Sequence, residues 1–327
     1  MAMIAALEVK NFKSIKELRL ECKRLNIFIG EPNTGKSNIL ETLGLLSFVR
    51  YSVGSAFKLR DFVRLERTAN LFYDENLDEA LEMVWNGSRL TLRFQNGRFV
   101  GECQRGEKEL ARLHGDHADV SVDKLRGEDL APFKFYRFAV REQFPRPDSA
   151  FLLPPSGDNL LSLLLSHREL RQLASQPFST MGLRLGLRPH EHKIEVLKQV
   201  EDVIVAYPYH LASETLQRLI FYLAAIVSNK NSVLVFEEPE SHAFPYYTKY
   251  LAETIALDKN DNQYFISTHN PYFLLPLVQK AGMDEIAVFI TYYKDYQTRV
   301  KPLDEAGLRM LDEIDVFSNI ETFLEVQ

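Results

Sequence analysis

The sequence predicts an α/β fold, and three observations carry that prediction. Short, almost wholly apolar runs of strand length occur at Leu25–Ile29, Val233–Phe236 and Tyr264–Ile266. Segments with helical spacing of apolar residues alternate with them. Each run ends abruptly in a glycine loop or a polar turn, as strands buried on both faces and capped by a functional edge do.

The elements follow in order. Residues 3–10 and 14–21 have strand character, and a third strand, Leu25 to Ile29, runs into Gly30. The next segment, SNILETLGLLSFVRY, places Ile39, Leu40, Leu43, Leu46 and Val49 on one helical face. Between 83 and 100, Asn86-Gly87 and Asn96-Gly97 mark two hairpin turns between strands. KFYRFAV at 134–140 is a further strand, and the proline-rich stretch 145–160 is a loop. Residues 159–179 and 191–205 are expected to be helical. A strong helix follows in LASETLQRLIFYLAAIVSN, then the strand VLVFEE, the helix TKYLAETIAL and the strand QYFIS. The tail offers a strand pair, EIAVFITYY with RVKPL, and a closing helix near 309–325.

Composition narrows the function classes. The 327 residues, 46% hydrophobic and 26% charged, suit one large domain or two smaller ones. A net charge of -6 excludes a nucleic-acid coat protein but leaves a local basic face open. Cys22 and Cys103 stand in no metal or disulfide spacing, which fits a reducing compartment. Without a spanning apolar run or a signal-like N-terminus, a cytoplasmic protein with no membrane partner is expected.

Three motifs carry chemistry. Gly30-Glu31-Pro32-Asn33-Thr34-Gly35-Lys36-Ser37 fits G-x-x-x-x-G-K-[ST] between a strand and a helix. Such a loop turns backbone N–H groups around phosphate oxygens, with Lys36 on the outer phosphates and Ser37 on Mg²⁺. In VLVFEEPE, two adjacent carboxylates end a buried strand, which is costly unless a cation or a reaction uses them. Glu237 stands where a phosphate-bound Mg²⁺ needs its second protein ligand, and Glu238 is placed to polarise an attacking water. Finally, Ser267-Thr268-His269-Asn270-Pro271 puts a histidine at a strand end, within reach of a γ-phosphate or that water.

Together these stretches resemble an ABC-type ATPase of the SMC/RecF/OLD-like group, AAA-annotated P-loop ATPases, here compact and without a long coiled coil. NFKSIKELRL with NIFIGEPNTGKSNILE resembles the group's opening hairpin and Walker A motif. VLVFEEPESHAFP resembles its extended Walker B, and STHNPYFL its switch-histidine motif. The resemblance implies a P-loop NTPase head with a mixed sheet, an N-terminal antiparallel β-subdomain and a helical insertion. The implied division is 1–145 and 206–327 for the two parts of the head, with 146–205 as the inserted lobe. It implies nucleotide binding by Gly30, Asn33, Thr34, Gly35, Lys36, Ser37 and Asn38, with Lys13 approaching from the hairpin. Ser37 and Glu237 would hold Mg²⁺, Glu238 would be the catalytic glutamate and His269 the switch histidine, with ATP as substrate. Implied partners are a second head, engaged through ATP, and a separate effector such as a nuclease or toxin, in phage defence or DNA repair.

One element departs from the pattern. The group's L-S-x-G-G/T signature aligns with Leu211-Ala212-Ser213-Glu214, so Ser213 substitutes only by a one-residue slip and Glu214 replaces a glycine. The same stretch reads equally as a packed helix with Ser213 as N-cap and Leu216, Leu219, Ile220 and Leu223 inward. Two other functions stay open: a DNA-binding repair ATPase, and a nucleotide switch with negligible turnover. His190-Glu191-His192 and the basic cluster of Arg184, Arg188 and Lys193 are expected on a solvated surface.

Overall fold

The computed structural model describes residues 3–325. Strand β1 (Ala6–Phe12) turns back into β2 (Ile15–Glu21), and β3 (Leu25–Ile29) leads through the glycine loop to helix α1 (Lys36–Tyr51). Then come β4 (Leu81–Trp85), β5 (Ser88–Gln95), β6 (Arg98–Arg105), β7 (Lys108–Gly115), β8 (Val120–Leu125) and β9 (Phe133–Tyr136). Next are α2 (Leu160–Ser166), α3 (Arg168–Ser179), β10 (Leu183–Arg188), β11 (Lys193–Val200) and β12 (Val203–Pro208). The C-terminal part holds α4 (Glu214–Ser228), β13 (Val233–Glu237), α5 (Pro245–Ala256), β14 (Gln263–Ser267) and α6 (Pro271–Lys280). It closes with β15 (Ile286–Lys294), β16 (Gln297–Pro302), α7 (Glu305–Met310) and α8 (Ile320–Glu325).

The central sheet is mixed, in the order β16-β15-β3-β14-β13-β9, parallel throughout except for the β15–β16 pair. Its apolar runs are buried on both faces. Ile27, Ile29, Leu234, Phe236, Tyr264 and Ile266 face the core under α2–α6. Phe28, Phe133, Phe135, Val233, Val235 and Phe265 face the other core, under α1 and the N-terminal sheet. This period-two division explains why β3, β13 and β14 read as unbroken apolar sequence. Helix α1 lies between two layers and is buried nearly all round.

The N-terminal sheet is antiparallel, in the order β2-β1-β4-β5-β6-β7-β8. Asn86 and Gly87, and again Asn96 and Gly97, have positive φ at the β4–β5 and β5–β6 turns. Both are the two-residue hairpin turns that Asn-Gly predicts.

Two expectations need correction. Residues 191–205 are not helical: they form β11, a turn and the start of β12, in a three-stranded antiparallel sheet ordered β10-β11-β12. The stretch from α2 to β12 is therefore two helices followed by a three-stranded sheet. Ile194 and Val196 are buried while Lys193, Glu195 and Leu197 are less so, an alternation that favours strand, and β-branched residues continue through Val205. The closing helix is split into α7 and α8. Between them the Asp315 carboxylate accepts from the Phe317 N–H at 3.0 Å and the Ser318 hydroxyl at 2.6 Å. Local side-chain hydrogen bonds of that kind compete with helix continuation.

Candidate functional site

The topology decides where the motifs meet. β3 pairs with β14, and β14 pairs with β13, all parallel. Their C-terminal ends therefore open on one edge, and the glycine loop, the His269 turn and the twin glutamates leave from three adjacent strands. Lys36, Ser37, Asn33, Lys13, Glu238 and His269 line one cavity of about 480 Å³. An adjoining cavity of about 420 Å³ is lined by Ser37, Glu237, Glu238, Arg64 and Arg218.

The glycine loop is held from below by β15 and β16. Gly30 has φ +146°, and a Cβ there would lie 2.3 Å from the Thr291 carbonyl oxygen. Gly35 has φ +97°, and its Cβ would lie 1.9 Å from Thr298 Oγ1. Only glycine satisfies both the torsion and the space. Thr34 is buried, its hydroxyl donating to the Glu31 carbonyl at 2.8 Å and lying 2.8 Å from Thr291 Oγ1. The Asn38 amide donates to Ser14 Oγ at 2.6 Å. In this structure the Thr34 and Asn38 side chains thus brace the loop. Lys36, 6% exposed, donates to the Gly30 and Glu31 carbonyls at 2.8 and 2.7 Å. Burial lowers its amine to about 8, against the pull of Glu238, Glu237 and Glu31.

The two carboxylates diverge. Glu237 ends β13 and its Oε1 accepts from Arg64 Nη2 at 2.9 Å. Glu238 has φ +42°, a strained torsion for a non-glycine residue, and its N–H donates to the Ser267 carbonyl at 3.0 Å. That turn points its carboxylate at His269 Nε2, 3.2 Å away, and at the Ser241 hydroxyl, also 3.2 Å. The His269 hydrogen bond, helped by the nearby imidazole and Lys36, holds the Glu238 carboxyl below its ordinary value. Two residues on, Glu240 is 4% exposed and accepts from the Thr268 hydroxyl, while its second oxygen has no partner among the described residues. Burial raises its carboxyl to about 7.

Several residues of the site escaped the sequence reading. Glu41, on α1 and wholly buried, binds Lys13, accepts from the Arg64 Nε and backbone N–H at 2.8 and 3.0 Å, and lies 3.5 Å from Arg137. A carboxylate inside the leucine-rich face of α1 was the available signal. Lys13 accordingly reaches the cavity wall with its amine committed to Glu41 and the Arg64 carbonyl. Arg218, on α4, stacks 4.7 Å from the Phe138 ring and pairs with Glu214 at 2.9 Å.

The signature-like residues sit apart from this chain's own cavity. Ser213 is exposed at the start of α4 and makes no side-chain cap, while Leu216, Leu219, Ile220 and Leu223 are inward. Glu214 turns its carboxylate onto Arg218. His190 and His192 occupy the exposed turn between β10 and β11, and no cluster of three metal-ligating side chains occurs among the described residues. The basic stretch there is partly neutralised, with Arg188 on Glu195 at 2.8 Å and Lys193 near Glu191 at 3.6 Å.

A family model described as "AAA ATPase domain" matches residues 3–86, which hold the glycine loop. A second, "AAA domain, putative AbiEii toxin, Type IV TA system", matches residues 165–275, which hold the glutamates and His269. An SMC head bound to the C-terminal winged-helix domain of ScpA superposes with a TM-score of 0.56 at 15% identity, covering 93% of this chain and 99% of that one. An SMC head with an extended coiled coil, bound to the C-terminal domain of ScpA derived from Pyrococcus furiosus, gives 0.55 at 14% identity, covering 95% and 98%. The chain has the P-loop ATPase fold of an SMC-type head. No curated protein matches it at comparable stringency. The longest helix among the described residues of this chain is the 16-residue α1. No described helix is long and apolar enough to cross a membrane.

Proposed function

We propose that the protein binds and hydrolyses Mg·ATP and works as a conformational switch read by a partner protein. The observation that carries this reading is the meeting of Lys36, Ser37, Glu238 and His269 on one cavity at the edge of a parallel sheet. Lys36 would bind the outer phosphates, since its amine is already held at the loop by two carbonyls it can exchange for phosphate oxygens. The Ser37 hydroxyl and the Glu237 carboxylate line one cavity and are hard oxygen donors of the kind Mg²⁺ takes, so they fit that ion. Bound there, Mg²⁺ would neutralise charge on the β- and γ-phosphates.

Glu238, kept ionised by His269, would accept the proton of the attacking water, and His269 would orient that carboxylate. Arg64 supplies the positive charge beside Glu237 and must share or release it when nucleotide binds. The SMC-head likeness and the exposed start of α4 support engagement of two heads through ATP, Ser213 being the group offered to the second copy. The relatives bound to ScpA support a protein partner, and the toxin–antitoxin wording of the second family description supports an effector in cellular defence. The domain division at 1–145, 146–205 and 206–327 belongs to the same proposal.

Titration of the purified chain with ATP and Mg²⁺ tests the reading. Lys36→Ala is expected to weaken ATP binding by about 100-fold, on the order of 3 kcal/mol, while the thermal melt stays near wild type. Unchanged affinity in that variant removes the glycine loop from the site and the proposal with it.

A further inference from the structure

The sheet β10-β11-β12 ends on a strand that nothing covers among the described residues. β12 reads VIVAYP, without a charge, and all six residues are exposed, Val203 and Ile204 by 63% and 66%. Edge strands are ordinarily guarded by charge, bulges or proline, and β12 has only the terminal Pro208.

The backbone of that edge has a definite parity. β11 and β12 pair without a bulge from Val200–Val203 to Glu195–Pro208, across a two-residue turn at Glu201-Asp202 whose first residue has φ +53°. A two-residue turn is flanked by a hydrogen-bonded pair, here Val200 and Val203, and such pairs alternate along an antiparallel ladder. Val203, Val205 and Tyr207 therefore spend their N–H and C=O groups on β11, and Ile204 and Ala206 point theirs outward. Pro208, the next outward residue, has no N–H and ends the free ladder.

We propose that β12 is the docking edge for a second copy of this chain, joining two three-stranded sheets into one. The outward groups are self-complementary about Val205. An antiparallel copy pairs Ile204 with Ala206 in both directions, sets Val205 against Val205, and sets Val203 against Tyr207. The last two are the β-branched and aromatic cross-strand pairs that stabilise sheets. Charge selects the same direction. Antiparallel pairing puts the acidic turn, Glu201-Asp202, of one copy at the opposite end of β12 from that of the other. Parallel pairing would set Glu201 and Asp202 beside their own copies. The arrangement is two-fold and closed, as homodimer interfaces are. It needs no nucleotide and does not rest on ATP binding.

Sedimentation without nucleotide is the test. The wild type is expected to dimerise. Ile204→Pro removes an outward N–H that β11 does not use, and Val205→Lys places a charge on the two-fold axis. Each is expected to weaken the dimer by about 100-fold with the circular dichroism spectrum kept. On mild oxidation Val205→Cys should give a disulfide-linked dimer and Val203→Cys should not, because only residue 205 faces itself. A wild type monomeric at all concentrations, or carried into solution only with a different protein on β12, overturns the proposal. So does a dimer that survives both edge substitutions, or cross-linking through residue 203 in place of 205.

Discussion

At the scale of single residues, the twin glutamates show how a half-buried pair of carboxylates is tolerated. A strand-end carboxylate pair needs compensating partners, and each acid finds its own: the Arg64 guanidinium for Glu237, a hydrogen bond to His269 and the nearby Lys36 for Glu238. The cation that the sequence requires beside these acids is thus supplied in part by the protein itself, through Arg64 and Lys36. Lys36 itself gives a pH prediction. Burial lowers its folded-state amine from 10.5 to about 8, so the cation proposed to meet phosphate is lost as pH rises through about 8. ATP affinity is expected to weaken about tenfold from pH 7 to 9, measured by titration calorimetry in buffers of matched ionic strength. Glu41 gives a stability prediction. Glu41→Ala leaves buried Lys13 without its carboxylate and takes a partner from Arg64, and should cost about 3 kcal/mol in urea unfolding.

At the scale of elements, the loops after β13 and β14 act as one unit. The Glu238 N–H bonds the Ser267 carbonyl, Glu240 bonds the Thr268 hydroxyl, and the Asn270 N–H donates to that same hydroxyl at 3.0 Å. These bonds fix the separation of Glu238 and His269 without either touching the other's backbone. Glu240 also sets a pH window. Its folded value, raised from 4.5 to about 7, means the folded state keeps a proton that the unfolded chain releases. Its contribution to stability is fully present below about pH 4.5 and lost as pH rises through about 7. Glu240→Gln should flatten that dependence, read from urea midpoints at intervals across the window. The elements also show what sequence could reveal. β3, β13, β14 and both Asn-Gly hairpins were legible because burial on two faces and left-handed turns leave strong compositional traces. β11 and β12 were misread as helix because their alternation is short and, in β12, both faces are apolar; the edge looks like a buried segment when its exposure is unknown.

At the scale of the whole molecule, the site is the product of strand order. Residues more than 200 positions apart become neighbours because β3 lies beside β14 and β14 beside β13. The three motifs predicted that convergence, since each needs the others for its chemistry. The Glu41–Lys13–Arg64–Arg137 cluster was not foreseeable in the same way. It joins the hairpin, α1, a loop and the chain after β9; Glu41 leaves a trace as a carboxylate on the apolar face of α1, but no local spacing announces its partners. The same layering sets the two surfaces proposed for assembly, the sheet edge with its glycine loop and the strand β12, on different parts of the chain. The role of Glu238 is tested by steady-state phosphate release from Mg·ATP by wild type and Glu238→Gln, with ATP affinity measured in parallel. Turnover is expected to fall by about 100-fold or more while affinity stays within about threefold. Equal release by the two proteins would contradict the assignment of Glu238 and the convergence built around it.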